Sequence, residues 1–116
     1  MKKIVFVDDD PTIQEVINLV LEDEYEITLF SNGDPLYRNQ YNKPDLFLLD
    51  RQLSGPDGLE ICRFLKSQQS TMDIPVIMIS AIPGITELAK QAGADDAIEK
   101  PFLIRELRQM IALHIA

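Results

Sequence analysis

Cysteine is nearly absent from this sequence: Cys62 stands alone, so no internal disulfide is possible, which fits a reducing cytoplasm. Basic residues are scarce as well. Eleven Lys and Arg face nineteen Asp and Glu, and the net charge of −8 argues against direct nucleic-acid binding, which needs a basic footprint. The same excess of acid keeps a small protein dispersed. Long apolar runs are missing: Leu46 to Leu49 and Pro75 to Ile79 are far too short to cross a bilayer. The N-terminus reaches acidic residues before any long apolar stretch or cleavage site, so it does not read as a signal peptide. The expectation is a cytoplasmic protein without a membrane partner. The five glycines form neither a Gly-x-Gly-x-x-Gly nor a Gly-x-x-x-x-Gly-Lys stretch, which removes the common nucleotide-binding loops. No repeat or linker divides the 116 residues, and a single domain over 1–116 is expected.

What is present is an alternation of short apolar runs with longer amphipathic ones. Lys3 to Val7 reads as a strand ending at Asp8-Asp9-Asp10-Pro11, where Asp10 suits a helix N-cap and Pro11 the first helical position. Ile13, Val16, Ile17, Val20 and Leu21 then mark one helix face. Tyr25 to Phe30 is a second strand, closed by Ser31-Asn32-Gly33, and Asp34-Pro35 opens a short helix to about Tyr41. Leu46 to Leu49 reads as a strand buried on both faces. Ser54 to Gly58 forms a loop, with Asp57 as a capping residue, before a helix carrying Leu59, Cys62 and Leu65. Pro75 to Ile79 is the fourth strand, and a helix from about Thr86 to Gln91 stops at Gly93. Ala97 to Glu99 is a weak fifth strand. The last helix places Leu103, Leu107, Met110, Ile111 and His114 on one face. Five β/α units predict a doubly wound α/β fold with a parallel sheet. Cys62 reads as a core residue and His114 carries no expected ligand role.

In open parallel sheets, ligands gather outside the carboxyl ends of the strands. Asp8 and Asp9 follow the first strand, Asp50 the third, Ser80 the fourth and Lys100 the fifth. Singly, each has a structural explanation, as a cap, a turn former, a satisfied hydroxyl or a solvated ammonium. Together at four strand ends they form a kit. Clustered carboxylates repel and call for a hard cation, for which Mg²⁺ is the natural candidate. A lysine and a hydroxyl beside it suit a phosphoryl group, and an aspartate can be the nucleophile that receives one. Asp50, at the end of the most apolar strand, is assigned that role. Asp9 and Asp50 are expected to bind the metal directly with the backbone carbonyl of Gln52, and Asp8 to hold metal-bound water.

Five stretches resemble the response-regulator receiver domains of two-component signalling, of the chemotaxis-regulator type. They are Val7 to Pro11, Asp45 to Asp50, Gly55 to Gly58, Ile79-Ser80-Ala81, and Ala92 to Asp96 running on through Lys100-Pro101-Phe102. The resemblance spans essentially the whole chain. It implies a flavodoxin-like five-stranded sheet in the order 2-1-3-4-5 with helices on both faces, and a cis bond between Lys100 and Pro101. It further implies phosphorylation of Asp50 by a histidine kinase or phosphotransfer protein. Ser80 is then the switch hydroxyl, Lys100 the phosphate-binding lysine, and Asp8 with Asp9 the acidic pair. A downstream output protein or domain completes the partners, and the chain is expected to be a monomer or weak dimer. It is expected to be either a stand-alone regulator or one domain of a longer protein.

Several positions depart from the family pattern. Ala97 stands where the family places a switch aromatic, and the segment between Ser80 and Lys100 is slightly short. Ser54 and Pro56 replace a common proline and methionine. Ile82, two residues after Ser80, is expected to obstruct an attacking water. Arg105 and Arg108 are candidates for the signalling face. Two rival readings are a phosphorylation-independent interaction module, which Ala97 favours, and a phosphohydrolase. The second wants an acid where Gln52 stands. The sequence thus reads as a signalling receiver rather than an enzyme acting on other substrates.

Overall fold

A computed structural model describes residues 1–115, which leaves only the last residue of the expected 1–116 domain outside the described residues. The strands are β1 (Lys2–Val7), β2 (Tyr25–Phe30), β3 (Leu46–Asp50), β4 (Val76–Ser80) and β5 (Asp96–Glu99). Between and after them lie α1 (Pro11–Leu21), α2 (Asp34–Tyr37), α3 (Gly58–Ser67), α4 (Ile85–Gln91) and α5 (Ile104–His114). All strand pairs are parallel and the sheet order is β2-β1-β3-β4-β5, the flavodoxin-like order expected.

Strand periodicity sorts the core into two layers. Val5, Val7, Phe47, Leu49, Val76 and Met78 face α2, α3 and α4, whereas Ile4, Phe6, Leu48, Ile77 and Ile79 face α1 and α5. The central strands β3 and β4 are buried along their whole length. Cys62 is buried in the first layer, its thiol 3.5 Å from the Ala92 carbonyl, and burial pushes its pKa up to about 11. It is a core residue, as expected.

The caps follow the sequence closely. The Asp10 carboxylate accepts the Thr12 N–H, with Pro11 next in line, and Asp57 accepts the Glu60 N–H. Gly93 follows α4 with φ 90°, the left-handed conformation that glycine adopts cheaply. The Lys100–Pro101 bond is cis.

Several boundaries and faces differ from expectation. The second helix stops at Tyr37 rather than about Tyr41, because the chain turns left-handed at Asn39, φ 54°. Asp50 and Ser80 end strands β3 and β4 instead of following them, since the ladder continues through Asp50↔Ile79 and Ser80↔Glu99. On α1 the buried stripe is Ile17 and Leu21, and Val16 is 44% exposed. Leu103 precedes α5 and is 53% exposed; the buried face belongs to Leu107 and Ile111, with Phe102 packed against their layer. Arg108 is already engaged within the chain: it donates to the Val20 carbonyl at 2.8 Å and lies 3.5 Å from Glu24. Its side chain remains about half exposed while making those contacts.

Candidate functional site

The register of the central strands assembles the site. Val7 pairs with Leu49, so the next residues, Asp8 and Asp50, emerge side by side. Lys100 is anchored across the rim by its N–H, which donates to the Ser80 carbonyl at 2.8 Å. The loop after β3 folds back so that the Gly58 N–H donates to the Arg51 carbonyl at 3.0 Å. A Cβ at Gly58 would collide with the backbone of Asp50 and Arg51, so only glycine lets α3 start this close to the site.

Asp8, Asp9 and Asp50 each offer a carboxylate oxygen within 4.8 Å of the others. Asp8 and Asp50 are buried, and Asp9 faces solvent. The Lys100 Nζ lies 3.6 Å from Asp8 Oδ2 and 3.5 Å from Asp50 Oδ2, ion-pair distances longer than a tight charged hydrogen bond. Asp8 Oδ1 accepts the Asp10 N–H at 2.9 Å, but Asp8 Oδ2 is buried without a hydrogen bond. Such an atom is costly unless something positive meets it. The Lys100 ammonium at 3.6 Å meets that oxygen only loosely, and three clustered carboxylates facing one such cation fit a hard, oxygen-seeking dication.

Burial is the largest influence on the Asp50 carboxyl, followed by the neighbouring Asp8 charge. Lys100 and the Gln52 N–H pull the other way, and the pKa is raised from 3.8 to about 6. Asp8 is raised too, again chiefly by burial, against the Asp10 N–H and Lys100. At neutral pH Asp50 therefore remains largely a carboxylate, with its proton affinity increased.

Ser80 is fully buried, and its oxygen accepts the Ile82 N–H at 3.0 Å. Its own proton is left to donate. The Gln52 N–H sits 3.5 Å from Asp50 Oδ1. All the residues expected at the strand ends thus share one rim. Ala97 lies elsewhere, on β5, where with Thr86, Ala89 and Lys90 it borders a cleft of about 140 Å³. An apolar groove of about 420 Å³ opens beside Lys100, between Ile13, Val16 and Ile17 on one side and Pro101, Phe102 and Ile104 on the other.

Sequence reasoning missed three polar contacts around this frame. Gln14 on α1 donates to the Asp8 and Phe30 carbonyls. Lys66 on α3 donates to the Met72 and Ile74 carbonyls and to Asp95. His114 pairs with Asp96 at 2.9 Å. None has a local pattern, because each partner lies outside the i±3 and i±4 neighbours that helical spacing brings together.

Comparison with known proteins agrees with this geometry. Residues 4–112 match the model of the response regulator receiver domain. The phosphate regulon transcriptional regulatory protein PhoB of Pseudomonas aeruginosa is 41% identical over 115 residues, covering 91% of this chain and 48% of PhoB. The DNA-binding response regulator MtrA of Mycolicibacterium smegmatis is 34% identical over 110 residues, covering 91% of this chain and 47% of MtrA. The chain thus spans about half the length of the curated relatives it matches. Among solved structures, the receiver domain of a Pseudomonas aeruginosa sensor histidine kinase superposes with a TM-score of 0.88 at 30% identity, covering 98% of this chain and 97% of that one. That structure carries a magnesium ion coordinated in its active-site cleft. The signal receiver domain of a Syntrophus aciditrophicus histidine kinase gives a TM-score of 0.90 at 29% identity, covering 99% and 90%. The chain belongs to the response regulator receiver domain family.

Proposed function

We propose that this chain is one receiver domain, residues 1–116, in which Asp50 accepts a phosphoryl group in a Mg²⁺-dependent step and thereby changes which output partner binds. The observation that carries this reading is the convergence of Asp8, Asp9, Asp50 and Lys100 on one rim, with Asp8 Oδ2 buried, without a hydrogen bond, and met only by the Lys100 ammonium at 3.6 Å. Asp9, Asp50 and the Gln52 carbonyl would hold the metal, and Asp8 would hold its water. When bound, Mg²⁺ offsets the negative charge of the phosphoryl oxygens.

The donor is a phosphohistidine of a sensor kinase or phosphotransfer protein. An Asp50 carboxylate oxygen attacks phosphorus; the new P–O bond forms as the P–N bond breaks, and the electron pair leaves with the imidazole nitrogen. Lys100 neutralises phosphoryl charge, and the Ser80 hydroxyl donates to a phosphoryl oxygen. The groove beside Lys100 gives the donor an apolar surface next to the acceptor. The chain acts on no other substrate; it catalyses only its own phosphorylation and dephosphorylation. Ile82 shields the acyl phosphate, so Ile82→Glu is expected to shorten its lifetime, read from the decay of labelled protein.

The phosphoryl group adds charge at Asp50 and biases the last two β/α units between two arrangements. With Ala97 at the switch position, no ring rotates there, and movement of α4 over the adjoining cleft carries the change. The domain itself makes no nucleic-acid contact, works in the cytoplasm, and is a monomer or weak dimer; among the described residues no helix is long and apolar enough to cross a membrane. The intact acidic set disfavours a phosphorylation-independent module.

Incubation with a small phosphodonor and Mg²⁺, followed by intact mass measurement, tests the reading. A gain of one phosphoryl group that disappears in Asp50→Asn supports it. No gain by folded, Mg²⁺-bound wild type returns the chain to the passive module.

A further inference from the structure

Asp8 is hydrogen-bonded at three points, and its fourth polar atom, Oδ2, meets only the Lys100 ammonium at 3.6 Å. Its N–H donates to the Phe30 carbonyl at 3.0 Å, which carries the β1–β2 ladder one residue past the strand end. Its Oδ1 accepts from Asp10, and its carbonyl accepts the Gln14 side-chain amide at 2.6 Å. The same amide reaches the Phe30 carbonyl at 3.1 Å. Both partners are acceptors, so the amide nitrogen must face them and both of its protons are used. The Gln14 N–H also donates to the Asp10 carbonyl at 3.1 Å. One residue therefore grips both ends of the Asp8-Asp9-Asp10 segment and ties it to the end of β2.

We infer that Gln14 is a positioning residue for the acidic pair: by fixing the Asp8–Asp9 peptide plane, it sets how tightly the site holds a divalent cation. This rests on the proposed Mg²⁺ site. The Asp8 carbonyl lies beyond the paired part of β1, where no strand supplies a donor, and Gln14 fills that place. Asp9 faces solvent, and the peptide that joins it to Asp8 is the one whose carbonyl Gln14 clamps. Partners that orient a metal's ligands typically change affinity 10- to 100-fold when lost.

The test titrates Mg²⁺ by isothermal calorimetry into wild type, Gln14→Met and Ile111→Val. Methionine matches glutamine in length and helix propensity but donates nothing. Ile111→Val lightens a core contact on α5 and controls for lost stability. Gln14→Met is expected to bind Mg²⁺ roughly tenfold more weakly while Ile111→Val binds like wild type. At saturating Mg²⁺, phosphoryl uptake by Gln14→Met is expected to recover, since the defect lies in holding the cation. Should Gln14→Met not fold, Gln14→Asn keeps the amide but cannot span both carbonyls, and a smaller loss of affinity is expected. Wild-type affinity in the folded Gln14 variant overturns the inference and leaves the Mg²⁺ site standing. Equal weakening in Gln14→Met and Ile111→Val overturns it as well, as a stability effect. Wild type that binds no Mg²⁺ overturns the site and the inference together.

Discussion

The centre of the sheet and its β5 edge are built to different standards. Strands β3 and β4 are buried at every position, and they deliver Asp50 and Ser80 to the rim. The last strand, β5, has four residues, of which only Ile98 is buried. Its neighbour α4 spans seven residues and begins at Gly84 without a side-chain cap. Between α4 and β5 lies the cleft bordered by Ala89, Ala94 and Ala97. Rigid packing surrounds the residues that must keep their geometry, and looser packing surrounds those proposed to move. Regions with few buried apolar contacts open at lower free-energy cost, so the edge is expected to open before the centre.

The contrast can be broken most severely from the centre. Phe47 is fully buried in the α2–α4 layer, and Phe47→Ala should cost about 3–5 kcal/mol in urea unfolding, because a large cavity opens where nothing can collapse.

Next comes proton linkage at the rim. Folding raises the Asp50 pKa from 3.8 to about 6, so the folded chain holds that proton more tightly than the unfolded one. Its stabilising contribution is full below about pH 4 and is lost as pH rises through about 6, with an upper bound of about 3 kcal/mol. Asp8 acts in the same direction. Metal-free protein should therefore lose stability between pH 4 and 7 in denaturant titrations, Asp50→Asn should flatten the profile, and Mg²⁺ should restore stability mainly above pH 6.

Lys66 joins the two regions, since its ammonium binds the Met72 and Ile74 carbonyls before β4 and Asp95 before β5. Lys66→Met should cost about 1–3 kcal/mol, with faster hydrogen exchange concentrated at β5 rather than β3.

The smallest effect belongs to the edge itself. The cleft of about 140 Å³ is close to the size that holds a benzene ring, so Ala97→Phe should change stability by less than about 1 kcal/mol. A large loss there would mean the edge is as tightly packed as the centre.

Much of this was legible in the sequence, for local reasons. Asp10-Pro11 and Asp57 announce helix starts by their own chemistry, and the unbroken apolar run before Asp50 marks a strand buried on both faces. Placing Asp8, Asp9, Asp50, Ser80 and Lys100 on one rim needed only parallel strands in sequence. The exposure of Val16 and Leu103 was not legible, because helical spacing marks a stripe without showing where the neighbouring element stops covering it. The early stop of α2 depends on a left-handed Asn39, a conformation that asparagine tolerates without requiring it. The contacts of Gln14, Lys66 and Arg108 were not legible, although Arg108 was singled out for a different, signalling role. Each donates to backbone carbonyls made available by tertiary folding, and no spacing rule encodes those.

The central claim is that Asp50 is the acceptor held at the rigid end of the sheet. Borohydride trapping of the acyl phosphate, after reaction with a small phosphodonor and Mg²⁺, followed by peptide mapping, tests it most directly. The account predicts reduction at Asp50 alone and none when Mg²⁺ is withheld. Modification at Asp8 or Asp9 instead, or a phosphoryl group stable on Ser80, would contradict it.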